Sequence, residues 1–288
     1  MTESDTRALI TLENTRSNLQ TDFFRVEGLR LLNYELLTEE ADCNITNSRL
    51  NDYGDALPKN TGKSGANISS QRMDDLDDMC IKYAQELNVS KRKQYKALDL
   101  GCGDAIMGLN LSLAGYKVLL YDEAPIPKML YEIRDSYSRV SLKFRNIDLS
   151  KTKKSDFPIN GVDIIYSQRF LHYLKYREAK QLLIHACRGI TSGGHLFISV
   201  SGINSEIGLA HPQREKPVQT RFAKIRQDIA DKHSIQKPIC VYSKEELVTL
   251  IESIGFMKIH IWESGFGNIK GVFSFKTTKD RSDRVSTR

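Results

Sequence analysis

The stretch Tyr95–Asp122, YKALDLGCGDAIMGLNLSLAGYKVLLYD, decides how this chain is read. A short apolar strand, KALDL, runs into the turn GCGD; an apolar helix through Ile106, Leu109 and Leu113 follows, and a second strand, KVLLYD, ends in Asp122. This is one βαβ unit, and its first turn lies at the carboxyl end of a strand, where open parallel sheets bind ligands. Gly101 and Gly103 have no β-carbon, so a ligand can lie directly on the backbone, and the first amides of the helix point into the same space. A dinucleotide turn would place a third glycine three residues after Gly103. Ile106 stands there and the next glycine is Gly108, so the NAD and FAD fingerprint fails. A nucleoside ligand without phosphate asks less of the helix end and more of acidic side chains, which pair with an amino group and with ribose hydroxyls. Asp99 and Asp122 are placed for those two tasks, although either carboxylate could instead cap a turn or a helix.

Outward from this unit, short β-branched or aliphatic runs alternate with helical patterns from Lys96 to about Ser201, which predicts an α/β domain with a parallel sheet covered on both faces. At 288 residues the chain accommodates one such domain, 93–276, with additions. Residues 1–92 form the first addition. Leu19, Phe23, Val26, Leu29, Leu32 and Leu36 recur at steps of three and four, the mark of an amphipathic helix over 15–40. Residues 44–72 are rich in Asn, Asp, Gly and Ser and read as a loop. A further helix is expected from Ser69 or Ser70 to about Asn88, with Asp74, Asp75 and Asp77 near its positive end. The TGKSG of Thr61–Gly65 lacks the earlier glycine and the preceding strand of a phosphate loop. A polar, charged insertion is expected over about 202–237, and a disordered basic tail over 277–288.

The composition, 40% hydrophobic and 27% charged, is that of an ordinary globular protein. No apolar run reaches the roughly 18 residues that cross a bilayer, and the N-terminus has neither the basic start nor the apolar stretch of a signal peptide. The expectation is a cytoplasmic protein that binds no membrane. Five scattered cysteines form no CxxC or Cys/His cluster, which argues against disulfides and a metal site. The net charge of +6 raises the question of nucleic acid. The segment Lys276–Arg288 holds five basic and two acidic residues, half of that net charge, so the body is close to neutral.

The sequence resembles the class I S-adenosylmethionine-dependent methyltransferases from about Ala97 to Lys276. The motifs are DLGCG (Asp99–Gly103), KVLLYD ending in Asp122 and followed by PKML, FRNIDL around Asp148, VDIIYSQRFLHYL with Tyr166, Ser167 and Gln168 at the strand tip, GITSGGHLFISVSG, and YSKEELVTLIESIGFMKIHIWESG. The resemblance implies a Rossmann-like, seven-stranded, mostly parallel sheet with helices on both faces, plus an N-terminal helical or lid segment. It also implies S-adenosylmethionine as cofactor. Asp99 would reach toward the methionine amino group, Gly101, Cys102 and Gly103 would pass beneath the cofactor, and Asp122 with Glu123 would take the ribose end. Asp148 and Ile147 would meet the adenine, with Tyr166 and Ser167 beside the sulfonium. The family often has a third glycine where Ala105 stands.

A sulfonium methyl is already electrophilic, so alignment of the acceptor carries most of the chemistry and a general base is optional. His172, just past the fourth strand, and His211, in the insertion, are the candidate bases; a histidine that only hydrogen-bonds its neighbours is the alternative for each. The YSQR tetrad disfavours the families that methylate exocyclic nitrogens of DNA bases or glutamine, and those that methylate cytosine C5. Gln168, Arg169 and Tyr53 are expected to meet substrate, unless Arg169 merely pairs with a helix carboxylate. The acceptor is expected to be a small molecule with an O or N nucleophile. RNA is a possible partner through Arg214, Lys216, Arg221, Lys224 and Arg226, unless these form a solvated helix face; protein is a further alternative acceptor. A homodimer through the N-terminal helix and a catalytically silent subunit are the other readings.

Overall fold

The computed structural model describes residues 75–89, 94–103, 105–126, 128–136, 138 and 140–276. The expected helix over 15–40, the loop 44–72 with Tyr53, and the tail 277–288 lie outside the described residues. Seven strands form one sheet in the order β3-β2-β1-β4-β5-β7-β6. They are β1 (Lys96–Leu100), β2 (Lys117–Asp122), β3 (Leu142–Asn146), β4 (Val162–Gln168), β5 (Ile190–Ser201), β6 (Phe256–Glu263) and β7 (Asn268–Phe275). Strands β1 to β5 pair in parallel, and β7 runs antiparallel between β5 and β6. The chain steps from β1 outward through β2 to β3, then returns to the other side of β1 for β4 and β5. The order therefore reverses between β1 and β4, and their carboxyl ends flank a crevice.

The central strands are buried on both faces, which is why they read as near-continuous apolar runs. Alternate residues serve opposite layers. Ala97, Val118, Leu120, Ile164 and Tyr166 face one layer with Leu76, Cys80, Ile81 and Ala84 of helix α1 (Asp75–Val89) and Leu109 of α2 (Ile106–Leu113). Leu98, Leu100, Ile165, Leu196 and Ile198 face the other, against Leu182 and Leu183 of α4 (Tyr176–Ala186). Helix α3 (Lys128–Ser136) links β2 to β3. Asp99 has the parity of Ala97, so its carboxyl is turned toward the layer that holds α1.

Between β5 and α7 (Lys244–Glu252) the chain leaves the sheet. This excursion contains the short helices α5 (Glu206–Leu209) and α6 (Gln227–Lys232) and closes on an apolar cluster of its own, Ile207, Ile225, Ile229, Ile235 and Ile239 among others. Its ends meet: Ile203 N–H donates to Tyr242 O at 2.7 Å and Tyr242 N–H to Ser201 O at 3.1 Å. The insertion expected over 202–237 thus runs on to Tyr242. It is pinned to α7 by Arg221, 4% exposed, whose guanidinium donates to both carboxylate oxygens of Glu246 at 2.7 and 3.0 Å and to the carbonyls of Lys216 and Val241. No helix among the described residues is long and apolar enough to cross a membrane.

Candidate active site

The turn after β1 is tied to the end of β2. Gly101 N–H donates to Tyr121 O at 2.8 Å, and Cys102 N–H to the same carbonyl at 3.3 Å. Gly101, Gly103 and Ala105 all have left-handed backbones, φ 72°, 52° and 57°. Two of the three positions are glycine, where this conformation is free; at Ala105 it costs about 1–2 kcal/mol. The alanine that stands in place of a third glycine therefore keeps the glycine conformation and caps α2 in it. The two glycines differ in surroundings. A β-carbon at Gly101 would collide with the Phe170 ring, whereas one at Gly103 would meet nothing within 4 Å. Gly103 is the open face of the turn.

Asp122 spans two loops: one carboxylate oxygen accepts the Gly103 amide and the other the Ala124 amide, each at 2.9 Å. Ile147 N–H donates to Asp122 O at 2.8 Å, so the end of β3 lies against the end of β2. Asp99 is buried, and Gly108 N–H hydrogen-bonds its carboxyl. Burial above all, then the negative charges of Asp122 and Asp77, push its pKa up to about 8.

Asp77 was missed as a site residue when the sequence was read only for charge at a helix start. It is 2% exposed. The Tyr166 hydroxyl donates to one of its oxygens and Gln168 Nε2 to the other at 3.3 Å. Its position was legible after all, because Asp77, Cys80, Ile81 and Ala84 follow the i, i+3, i+4, i+7 spacing of a buried helix face. Three carboxylates, from α1, β1 and β2, thus converge at the crevice.

Other predicted residues are engaged in contacts of their own. Ser167 faces the opposite layer, fully buried, and its hydroxyl donates to Leu100 O at 3.2 Å. Asp148 caps the turn that follows it, accepting from Ser150 N–H at 3.0 Å and Ser150 Oγ at 2.6 Å, with Lys151 at 2.8 Å. Lys151 first, then Ser150, lowers its pKa to about 2. Glu123 is exposed and paired with Lys237 of the insertion.

Both candidate histidines are held by backbone partners in a way that leaves neither neutral ring a free lone pair. His172 Nδ1 accepts the Ser201 backbone amide at 3.2 Å. An amide can only donate, so the neutral ring carries its proton on Nε2 and has no lone pair left for a substrate proton. Burial, then the charge of Arg169, lowers its pKa to about 3. His211 is likewise spent: Nε2–H donates to Ile239 O at 3.0 Å and Nδ1 accepts Gln213 N–H at 3.2 Å. Arg169, for which a salt bridge was the alternative to substrate, has no carboxylate partner among the described residues. Its backbone is left-handed, φ 51°. The basic set of the insertion is not one face either, since Arg221 is buried on Glu246 and Arg226 is paired with Asp228 at 2.6 Å.

Residues 98–198 match the family model described as a methyltransferase domain. Over these residues, which include the turn after β1 and the ends of β2 and β4, the chain is similar to methyltransferases. No curated protein matches its sequence. Among solved structures, the chain is similar to 1,6-didemethyltoxoflavin-N1-methyltransferase from Burkholderia thailandensis, with bound 1,6-didemethyltoxoflavin and S-adenosylhomocysteine. The identity is 14% over 68% of this chain and 78% of that one, with a TM-score of 0.48. A second is an S-adenosylmethionine-dependent methyltransferase from Methanosarcina mazei, at 17% identity over 67% and 97%, TM-score 0.49. A third is magnesium protoporphyrin IX methyltransferase from Synechocystis PCC 6803 with bound S-adenosylhomocysteine, at 12% identity over 69% and 81%, TM-score 0.46. The turn after β1 suits S-adenosylmethionine on chemical grounds. Gly103 leaves room against the backbone, and the converging carboxyl groups offer acceptors to a ligand bearing an ammonium and a sulfonium, whose positive charge favours ionisation of the buried Asp99.

Proposed function

We propose that this methyltransferase acts on a small molecule, at an oxygen or nitrogen atom, by in-line displacement. The observation that carries the cofactor end is the convergence of Asp77, Asp99 and Asp122 beside the open Gly103. When bound, S-adenosylmethionine supplies an electrophilic methyl group. The protein's share is placement: Gly101, Cys102 and Gly103 beneath the cofactor, Asp122 toward ribose, Ile147 with Asp148 at the adenine side. Tyr166 and Gln168, both held by Asp77, present the end of β4 to the reacting centre. No step calls on a histidine base, and alignment alone can lower the barrier by several kcal/mol.

The small-molecule reading is supported by the insertion. It is folded on its own core and reaches back over the carboxyl edge of the sheet, where Lys237 meets Glu123 beside Asp122. A covered crevice suits a small acceptor, and the pairing of Arg221 and Arg226 with acidic side chains leaves less charge for RNA. In this reading 93–276 is the catalytic domain and the insertion its lid.

Calorimetric titration with S-adenosylmethionine and S-adenosylhomocysteine tests the cofactor end, alongside an Asp122→Ala variant. Micromolar binding that the variant loses is the expected result, and absence of binding to the wild-type protein overturns the proposal. Transfer of a labelled methyl group to RNA or protein, with none to small molecules, would overturn the acceptor class.

A further inference from the structure

Arg169 combines features that have no account within the fold. It follows the last residue of β4, at the crevice where the sheet order reverses. Its left-handed backbone is one that an arginine adopts only under constraint. The constraint is visible: its amide donates to both the carbonyl and the hydroxyl of Ser199 on β5, each at 3.0 Å. Strain of this kind persists where the surroundings over-determine it, and it clusters at functional sites.

The guanidinium it holds is underused. Nε is buried and has no hydrogen-bond partner among the described residues. Among the described residues Nη2 reaches only Gln168 Oε1, at 3.3 Å. A guanidinium presents five N–H donors in a rigid fork, and a buried N–H left unmatched costs on the order of 1–3 kcal/mol. Neighbouring groups do not supply an anion: His172 is neutral, and the Tyr173 phenol, buried, has its pKa raised to about 12. Through Gln168 the same arginine is linked to Asp77, whose carboxylate takes the other end of that amide. The fork therefore stands one side chain away from the acids of the cofactor crevice.

Resting on the methyltransferase reading above, we propose that Arg169 anchors a carboxylate group of the acceptor, paired side-on with Nε–H and an Nη–H, so that the substrate is an anionic small molecule. A planar carboxylate matches the planar fork with two parallel bonds, as a single surface lysine could not. Tetrahedral phosphate shares the charge but not the planarity, and the test separates the two.

The full chain is saturated with S-adenosylhomocysteine and examined by ligand-observed saturation-transfer NMR, with benzoate as the probe and benzamide as its neutral counterpart. Benzoate gives a signal in the wild-type protein. Its affinity falls about 10- to 100-fold in Arg169→Gln, the range of a charge-assisted hydrogen bond, and lies between the two in Arg169→Lys, which keeps the charge and loses the fork. Benzamide gives no more than the Arg169→Gln level. Glutamine keeps the same backbone strain, so thermal unfolding and calorimetric binding of S-adenosylhomocysteine stay at wild-type values in that variant. An absent benzoate signal, an equal signal from benzamide, or unchanged benzoate binding in Arg169→Gln overturns the proposal. So does loss of S-adenosylhomocysteine binding in that variant, which would mark a structural role. Inorganic phosphate displacing benzoate at lower concentration overturns the carboxylate in favour of a phosphate group. Failure of the wild-type protein to bind S-adenosylhomocysteine at all would instead strike the methyltransferase reading on which the proposal rests.

Discussion

Asp99 sits two residues before the first glycine of the ligand turn, with its carboxyl buried and its pKa raised from 3.8 to about 8. Between those two values the folded protein holds a proton that the unfolded chain has released. Stability contributed by this group is therefore full below pH 3.8 and is lost as pH rises toward about 8. Asp99→Asn removes that dependence while its amide oxygen can still accept the Gly108 amide. Urea unfolding at pH 5 and pH 8 should show a steeper loss in the wild-type protein than in Asp99→Asn, and parallel losses would refute the assignment. A bound cation nearby favours the ionised carboxylate, so cofactor binding is expected to tighten over the same rise in pH. At this scale the sequence was informative where chemistry needs a particular residue type. Gly103 and Asp122 could be placed from the spacing of one βαβ unit, and the structure sets them 2.9 Å apart. The histidines misled because their type says nothing of who bonds the ring. Ser201 and Ile239, which occupy His172 and His211, are 29 and 28 residues away in sequence.

Among elements, α1 and the insertion show what pattern reading captures and what it loses. The helix was legible from a capping serine and the acidic residues near its start, but its contribution to the crevice rests on Asp77 meeting Tyr166, 89 residues away. The insertion reads as polar and charged, yet it folds, because its isoleucines are spaced irregularly and meet only when the ends close at Ser201 and Tyr242. Arg221 and Glu246 hold that closure in place. With its partner gone, Arg221 would be a buried charge with only carbonyls to face, a loss of about 3 kcal/mol or more. Denaturant unfolding of Glu246→Leu should show this loss, and the double variant Arg221→Met with Glu246→Leu should recover much of it. Equal stability of the single variant and the wild-type protein would mean that the pair does not anchor the insertion.

For the molecule as a whole, the contact between Lys237 and Glu123 is of another kind. Both side chains are more than half exposed, 57% and 55%, and such a pair contributes at most about 1 kcal/mol, screened by salt. It joins the insertion to the loop after β2, next to Asp122, while leaving the joint easy to open. Lys237→Ala should leave the melting temperature nearly unchanged and speed S-adenosylhomocysteine release, measured by stopped flow. High salt should do the same to the wild-type protein and add little to the variant; identical release rates in all four conditions would exclude a latch.

The sheet order carries a consequence for how the chain folds. Strand β7, the last described in sequence, lies between β5 and β6 and pairs with both. Until β7 docks, β6 has no partner strand in the sheet and β5 keeps a bare flank. That flank contains Phe197, Ile198 and Val200, an unpaired apolar edge of the sort that recruits other chains. Closing the sheet, and covering that edge, therefore waits on this one strand.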